Sequence, residues 1–432
     1  MKMNPVVRHR MRFVWIVIPK PTAAFYPYHL KHCKAELLDL TGKWDQAEGL
    51  YQENSLVAAK AGRKQLEAES RSRLGVLFGN RGRYEEALDL LLAAQRLNEA
   101  AGNLKGLAMV LGNIGWIHRM QGQYQKALEY NQQRLEITKK LDDKESLGDA
   151  MGDQGVIYWC MGMIDVALDC YRQQEALCQQ AGDRLGLARV LNNRGIIYNL
   201  LGKYQQAISD FQASSMIFRE LGDISGLSNP EGNRGVTFAL MGDRQNALKD
   251  YAVQTEIARK LGNKPILCLS LGNTADIYRD QGEWEKAAAL YRQAISISRE
   301  ISARGQLCES LLSFAELRRR QNDEESCRSL LEEGRKLAGE LGSPDYVFTA
   351  ALLDAATRPG PDASAQALRE LLSKTSGESE QAAIHYELFK ATKKPDHGIR
   401  GRELYRKAYE SIPKAEFRER ADELEEELGK LS

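Results

Sequence analysis

The stretch GLARVLNNRGIIYNLLGKYQQAISDFQASSMIFRELGD, Gly186 to Asp223, decides the fold. Leu187, Leu191, Tyr198 and Leu201 fall on one stripe at helical spacing. Gly202 interrupts the pattern, and Tyr204, Ala207, Ile208, Phe211 and Phe218 make a second stripe. Glycine adopts positive φ without steric penalty, so Gly202 reads as the stop between two antiparallel helices. Gly195 lies in mid-helix, where glycine costs about 1 kcal/mol relative to alanine. That cost makes sense if the partner helix approaches closely there, with Ala207 as its small counterpart. Leu221-Gly222-Asp223 then ends the second helix and supplies a cap for the next.

The same signals recur on both sides. Gly42, Gly82, Gly122, Gly162, Gly202, Gly242 and Gly282 are spaced by 40 residues, and each is followed five residues later by an alanine, Ala47 through Ala287. Two residues after the glycine stands an aromatic, Trp44, Tyr84, Tyr124, Tyr204 or Trp284, with Ile164 and Arg244 as departures. Seven before it stands Gly75, Gly115, Gly155, Gly195, Gly235 or Ala275. Phased series of this kind mark a repeat in which each unit is one helix hairpin. An eighth copy begins near Gly305 and decays, with Asn322, Glu324 and Cys327 at the turn, aromatic and alanine positions, as terminal repeats of a solenoid do.

The order of small residue, aromatic, turn glycine, aromatic and alanine resembles the tetratricopeptide repeat. The 40-residue unit with its leucine-glycine-aspartate linker is similar to the long-repeat variety of the Pins/LGN class and of bacterial signalling arrays, with kinesin light chain as a looser cousin. The resemblance covers about residues 30 to 345 and implies an all-α, right-handed superhelical solenoid of antiparallel helix hairpins. The expected organisation is an irregular leader over 1–28, an array of about eight repeats over 29–345, and a helical cap of degenerate repeats over 346–432. Turn signals at Arg358 to Asp362, Lys393 to Asp396 and Ser411 to Pro413 divide that cap into helices.

The resemblance also implies that the first helix of each hairpin lines a concave groove, with the residues two before and one after the packing glycine looking into it. Two before come Asn113, Asp153, Asn193, Asn233 and Asn273. Carboxamides in a column can donate to and accept from the backbone of an extended peptide, Asn193 and Asn233 being the central pair. The same side chains can instead satisfy neighbouring backbone groups. One after the glycine come Val76, Trp116, Val156, Ile196 and Val236, and the next turn adds Arg119, Trp159, Asn199 and Arg279. Trp116 and Trp159 suit either the groove wall or the core. Glycine at 112, 152, 232 and 272, and the balance of Arg73, Arg119, Arg189 and Arg279 by Asp149, Asp153, Asp276 and Asp280, argue against a clamp for chaperone tails.

Composition narrows the remaining classes. A net charge of +1, from 60 basic and 59 acidic residues, offers no field to recruit nucleic acid or an anionic membrane. Seven cysteines without a Cys-x-x-Cys spacing point to reduced thiols and a cytoplasmic location. Phe13 to Ile18 is too short for a signal-peptide core and is followed by Pro19 and Pro21. No phosphate-binding loop, zinc-protease helix, nucleophile elbow or calcium loop occurs. His29, His32 and Cys33 carry metal-ligand types but lack a fourth partner, and His118 replaces a packing tyrosine. The expectation is therefore a scaffold without cofactor or metal that holds a protein or peptide, not an enzyme. A sensor arm of a signalling protein and a structural spacer are the alternatives. The partner and the oligomeric state are not encoded in these patterns.

Overall fold

The computed structural model describes residues 26–40 and 43–431. Phe13 to Ile18 and Gly42 lie outside the described residues, and the last three residues of the expected leader, 26–28, already belong to a helix. Twenty-one helices follow one another with no strand among the described residues. The first eight are α1 (Tyr26–Leu40), α2 (Trp44–Lys60), α3 (Lys64–Asn80), α4 (Tyr84–Ala100), α5 (Leu104–Met120), α6 (Tyr124–Lys140), α7 (Lys144–Cys160) and α8 (Ile164–Ala181). Then come α9 (Arg184–Leu200), α10 (Tyr204–Leu221), α11 (Ile224–Leu240), α12 (Arg244–Leu261), α13 (Lys264–Asp280), α14 (Trp284–Glu300), α15 (Arg304–Arg320) and α16 (Glu324–Leu341). The last five are α17 (Pro344–Ala356), α18 (Pro361–Leu372), α19 (Glu378–Thr392), α20 (Pro395–Ser411) and α21 (Ala415–Gly429). The three turn signals of the C-terminal region span the gaps between these last helices, with Pro361 and Pro395 as first helical residues.

Turns between helices repeat every 20 residues, because both the turn within a hairpin and the linker between hairpins use one left-handed residue. Gly202 has φ 69° and Gly222 also 69°. Where glycine is missing the conformation persists, at Asn322 with φ 58°, Asp142 with 50° and Ser302 with 55°. Short polar side chains tolerate that region best, so the eighth hairpin keeps its turn after losing its glycine. The linker Asp and Asn residues cap as expected, Asp183 accepting from the Gly186 amide at 2.9 Å and Asn263 from the Ile266 amide at 3.2 Å.

The chain forms two compact units, one of the described residues up to Ile197 with Met216–Ile224, the other of Tyr198–Ser215 with the residues from Ser225 onward. Within each, the packing glycines and alanines do what their spacing required. A Cβ on Gly155 would stand 2.6 Å from the Tyr171 ring, and one on Gly235 2.7 Å from the Tyr251 ring. Ala47, Ala87, Ala127, Ala167, Ala207, Ala247 and Ala287 are completely buried.

A second size match was not anticipated. At Gly112, Gly152 and Gly232 an added Cβ would meet the side chains of Arg134, Gln174 and Gln254 at 3.0, 2.5 and 2.0 Å. Each long polar residue comes from the second helix, 22 positions downstream, and fills the gap that the glycine leaves. In the last hairpin the roles reverse, Leu312 filling the space over Gly334 at 2.8 Å. The residue 22 positions after Gly272 is the small Ala294, and a cavity of about 10 Å³ is bordered by Gly272, Asn273, Asp276, Tyr291, Glu309 and Ser313 among others. The nearest heavy atom to a Cβ at Gly272 is Ser310 Oγ at 3.9 Å. Gly272→Ala is therefore expected to stabilise the fold by about 0.5–1 kcal/mol through helix propensity. Gly155→Ala should destabilise it by about 1–3 kcal/mol through overpacking. Thermal melts of the two variants moving in the same direction would contradict this packing.

Successive first helices approach each other directly, α3 with α5 and α5 with α7 in the first unit, and α13 with α15, α15 with α17 and α17 with α19 in the second. In each unit the first helices thus lie side by side as one layer. Further along, Tyr386, Phe389, Leu404, Tyr405, Ala421 and Leu424 close a separate core among α19, α20 and α21.

Candidate functional site

Every expected site residue lies on a first helix, and the structure sorts them into three kinds. In the first unit, half-buried Asn113 on α5 donates from Nδ2 to Ser72 Oγ on α3 at 3.1 Å, so this carboxamide ties neighbouring first helices together. Asp153 is exposed and accepts from Arg134 Nη1 at 2.5 Å, the same guanidinium that lies beside Gly112. Arg189 stands 3.8 Å from Asp149, so the charge balance read in the sequence is here a direct pairing. Asn193 is half-buried and accepts a long hydrogen bond of 3.4 Å from Asn192 Nδ2.

Apolar positions form a wall of intermediate exposure, neither core nor open surface. Val156, Trp159, Ile196 and Arg119 are half-buried. Trp116 packs on Gly79 of the preceding first helix, where an added Cβ would be 2.6 Å from its ring, and joins the edge of the first core. Its indole is thus largely a packing element. His118 is one as well, stacked on Tyr130 with ring centroids 5.4 Å apart, and His32 stacks on Tyr28 at 5.9 Å.

The second unit carries the more polar face. Asn233 and Asn273 occupy equivalent places on α11 and α13, both half-buried, and Val236 lies beside the first against Ala247, Tyr251 and Ile277. Asn199 keeps a buried Oδ1 without a hydrogen-bond partner among the described residues. After Val236, Asp276 and Glu316 take the next two places of the same repeat position, and an ionic chain runs through them. Asp276 accepts from Arg279 at 2.8 Å and from the Tyr291 hydroxyl at 2.5 Å, and Arg279 Nε reaches Asp280 at 3.0 Å. Asp280 is met by Arg320 at 3.3 Å, Arg320 holds Glu316 at 2.8 Å, and Arg319 bridges Glu316 at 2.7 Å to Glu387 on α19 at 3.1 Å. Arg279 is therefore already engaged by its own chain. Burial disfavours its charge, but Asp276, Tyr291 and Asp280 outweigh that and hold the guanidinium ionised.

Burial likewise opposes ionisation of Glu316, yet hydrogen bonds and charge from Arg319 and Arg320 outweigh it and bring its carboxyl to about 2. An unperturbed glutamate titrates near about 4.3, so this group contributes stability above that value and loses it as pH falls toward its folded pKa. Glu316→Gln should then flatten the drop in urea midpoint between about pH 5 and about pH 3 relative to the parent chain. A parallel drop in both proteins would show that the ionic chain is not coupled to folding. Near it, burial and the charge of Asp276 push the Glu309 carboxyl upward at the edge of the small cavity.

Sequence reasoning read the balance of Arg279 by Asp276 and Asp280 but missed Arg134, Gln174, Gln254 and the rest of the ionic chain, Glu316, Arg319, Arg320 and Glu387. The first three carry a signal, glycine matched with a long polar residue 22 positions later, legible only once the second-helix phase is fixed.

These hairpins with their layered first helices define a helical-repeat solenoid. The chain belongs to the tetratricopeptide repeat family, whose model matches residues 67–140, 146–220 and 227–300, more than half of its length. No curated protein matches the sequence. Among solved structures, the apo form of the quorum sensor NprR from B. thuringiensis is similar with a TM-score of 0.57 at 17% identity, covering 78% of this chain and 99% of that one. A Rap protein complexed with competence and sporulation factor gives 0.51 at 15% identity, covering 94% and 99%. A signal-transduction ATPase with a tetratricopeptide repeat sensor, from Pyrococcus horikoshii, gives 0.53 at 13% identity, covering 82% of this chain and 53% of that one. At these identities the likeness is one of fold. No described helix is long and apolar enough to cross a membrane.

Proposed function

We propose that the chain is a non-catalytic binding scaffold that holds an extended protein or peptide segment against the layer of its first helices. The observation that carries this reading is the recurrence of half-buried Asn233 and Asn273 at equivalent places on successive first helices, with Val236 beside the first. Carboxamides at a helix-to-helix spacing can bond the main chain of a bound segment at intervals, while Val236 supplies apolar contact. The fold-level neighbour solved with competence and sporulation factor supports the same reading. A sensor arm of a larger signalling protein is favoured by the neighbour in which such repeats accompany an ATPase, and that reading also needs a held ligand. Selecting binders for the intact chain from a displayed random-sequence peptide library tests the proposal. Enrichment of a peptide family that competes for one site supports it, and a library that returns nothing above a scrambled-helix control sinks the peptide form of the reading.

A further inference from the structure

The departures from the repeat pattern point to a contact far along the chain. Arg244 stands where the repeat places an aromatic, and its Nη2 reaches both carboxylate oxygens of Glu419 on α21, at 3.0 and 2.8 Å. Beside it, a Cβ on Gly242 would be 3.0 Å from the Ala415 Cβ, and one on Gly202 would be 2.7 Å from Pro413 Cδ. Tyr204 is only 6% exposed, whereas Trp44 and Trp284 at the same repeat position are 41% and 37% exposed. The turns at Gly202 and Gly242 are half-buried, while those at Gly82, Gly122, Gly162 and Gly282 are open.

All these contacts lie within the second unit, and they join the α20–α21 corner to the hairpin turns before α10 and α12. We propose that this corner is a releasable latch. Closed, it fixes the curvature of the first helices lying between α11 and α19, and open, it lets them relax. The contact joins Gly202, Tyr204 and Gly242 to Ile412, Pro413 and Ala415, with one ion pair whose side chains are 32% and 44% exposed. A pair that exposed is screened by salt, so closure depends on ionic strength. The α21 helix stays attached to α20 through its own core in either state. This inference goes beyond the binding proposal and is tested without a ligand.

Hydrogen exchange of the whole chain at low salt reads the latch, with the open turns at Gly82 and Gly282 as references inside the same molecule. The amides around Gly202 and Gly242 are expected to exchange at least about fivefold more slowly than the reference turns. Glu419→Arg should abolish the difference although it lies on another helix. Arg244→Glu should do the same, despite placing a favourable acid at the start of α12. The exchanged pair Arg244→Glu with Glu419→Arg should restore it. Four turns exchanging alike in the parent chain, or no response to Glu419→Arg, would overturn the latch. Should a reversal variant lose its helical signal, Glu419→Gln and a salt titration of the parent replace it. Acceleration confined to the two covered turns supports the latch, and its absence rejects it.

Discussion

Replacing Ala207 with phenylalanine is expected to lower the urea midpoint of the helical signal substantially, while the same change at Gln205 leaves it nearly unmoved. Ala207 is completely buried on α10, and Gln205, two residues earlier, is exposed. A benzyl group forced into a site that holds a methyl pushes side chains off their rotamers and costs typically about 1–3 kcal/mol. At Gln205 the ring projects into water and the cost is a few tenths of that. In a solenoid each hairpin packs chiefly on its neighbours, so a local clash also weakens coupling along the array and should broaden the transition. Equal midpoints for the two variants would mean that the hairpin is phased differently from this description.

Changing Asn233 and Asn273 together to alanine is expected to weaken binding of a library-selected peptide at least tenfold with the fold intact. A tenfold loss corresponds to about 1.4 kcal/mol, and each lost hydrogen bond to a peptide held out of water is worth on the order of 1–3 kcal/mol. Alanine is an excellent helix former, so neither replacement weakens its own helix. Asn113→Ala, on α5, is a companion variant. Its carboxamide bonds Ser72, so its loss should show as about 1 kcal/mol of stability, with little effect on a peptide bound along α11 and α13. Affinity unchanged in the double variant would return these asparagines to a structural role. Lost affinity together with a lowered melting temperature would do the same.

The hairpin phase, the turn glycines, the buried alanines and the capping linkers were all legible in the sequence, because each follows from a local rule repeated seven times. Repetition converts weak propensities into a strong inference, since a glycine stopping one helix says little and seven at one spacing say where every helix ends. The decayed eighth hairpin was legible for the same reason, and its left-handed Asn322 needed only the phase of its predecessors.

The candidate site was legible as positions but not as states. The sequence placed Asn113 and Asn273 in one column, yet only packing shows that the first is tied to Ser72 while the second borders a cavity. It placed Arg279 on a first helix, and the structure adds that Asp276, Asp280 and Tyr291 hold it there. Glu231 makes the same point in the core. It takes a place filled by leucine at 111, 191 and 271, is completely buried, and is held by Arg234, which also bonds Asp250 at 2.6 Å. A buried carboxylate persists only where such partners compensate the lost water, and no pattern along one helix reveals them.

The sequence by itself thus determined the all-α hairpin repeat, its phase and the identity of its first helices, because periodicity and backbone preference act within about 40 residues. The tertiary structure decided which of their side chains are engaged, and it brought Arg244 to Glu419 across 175 positions. Contacts at that separation depend on the accumulated geometry of every hairpin between them, which no local rule contains.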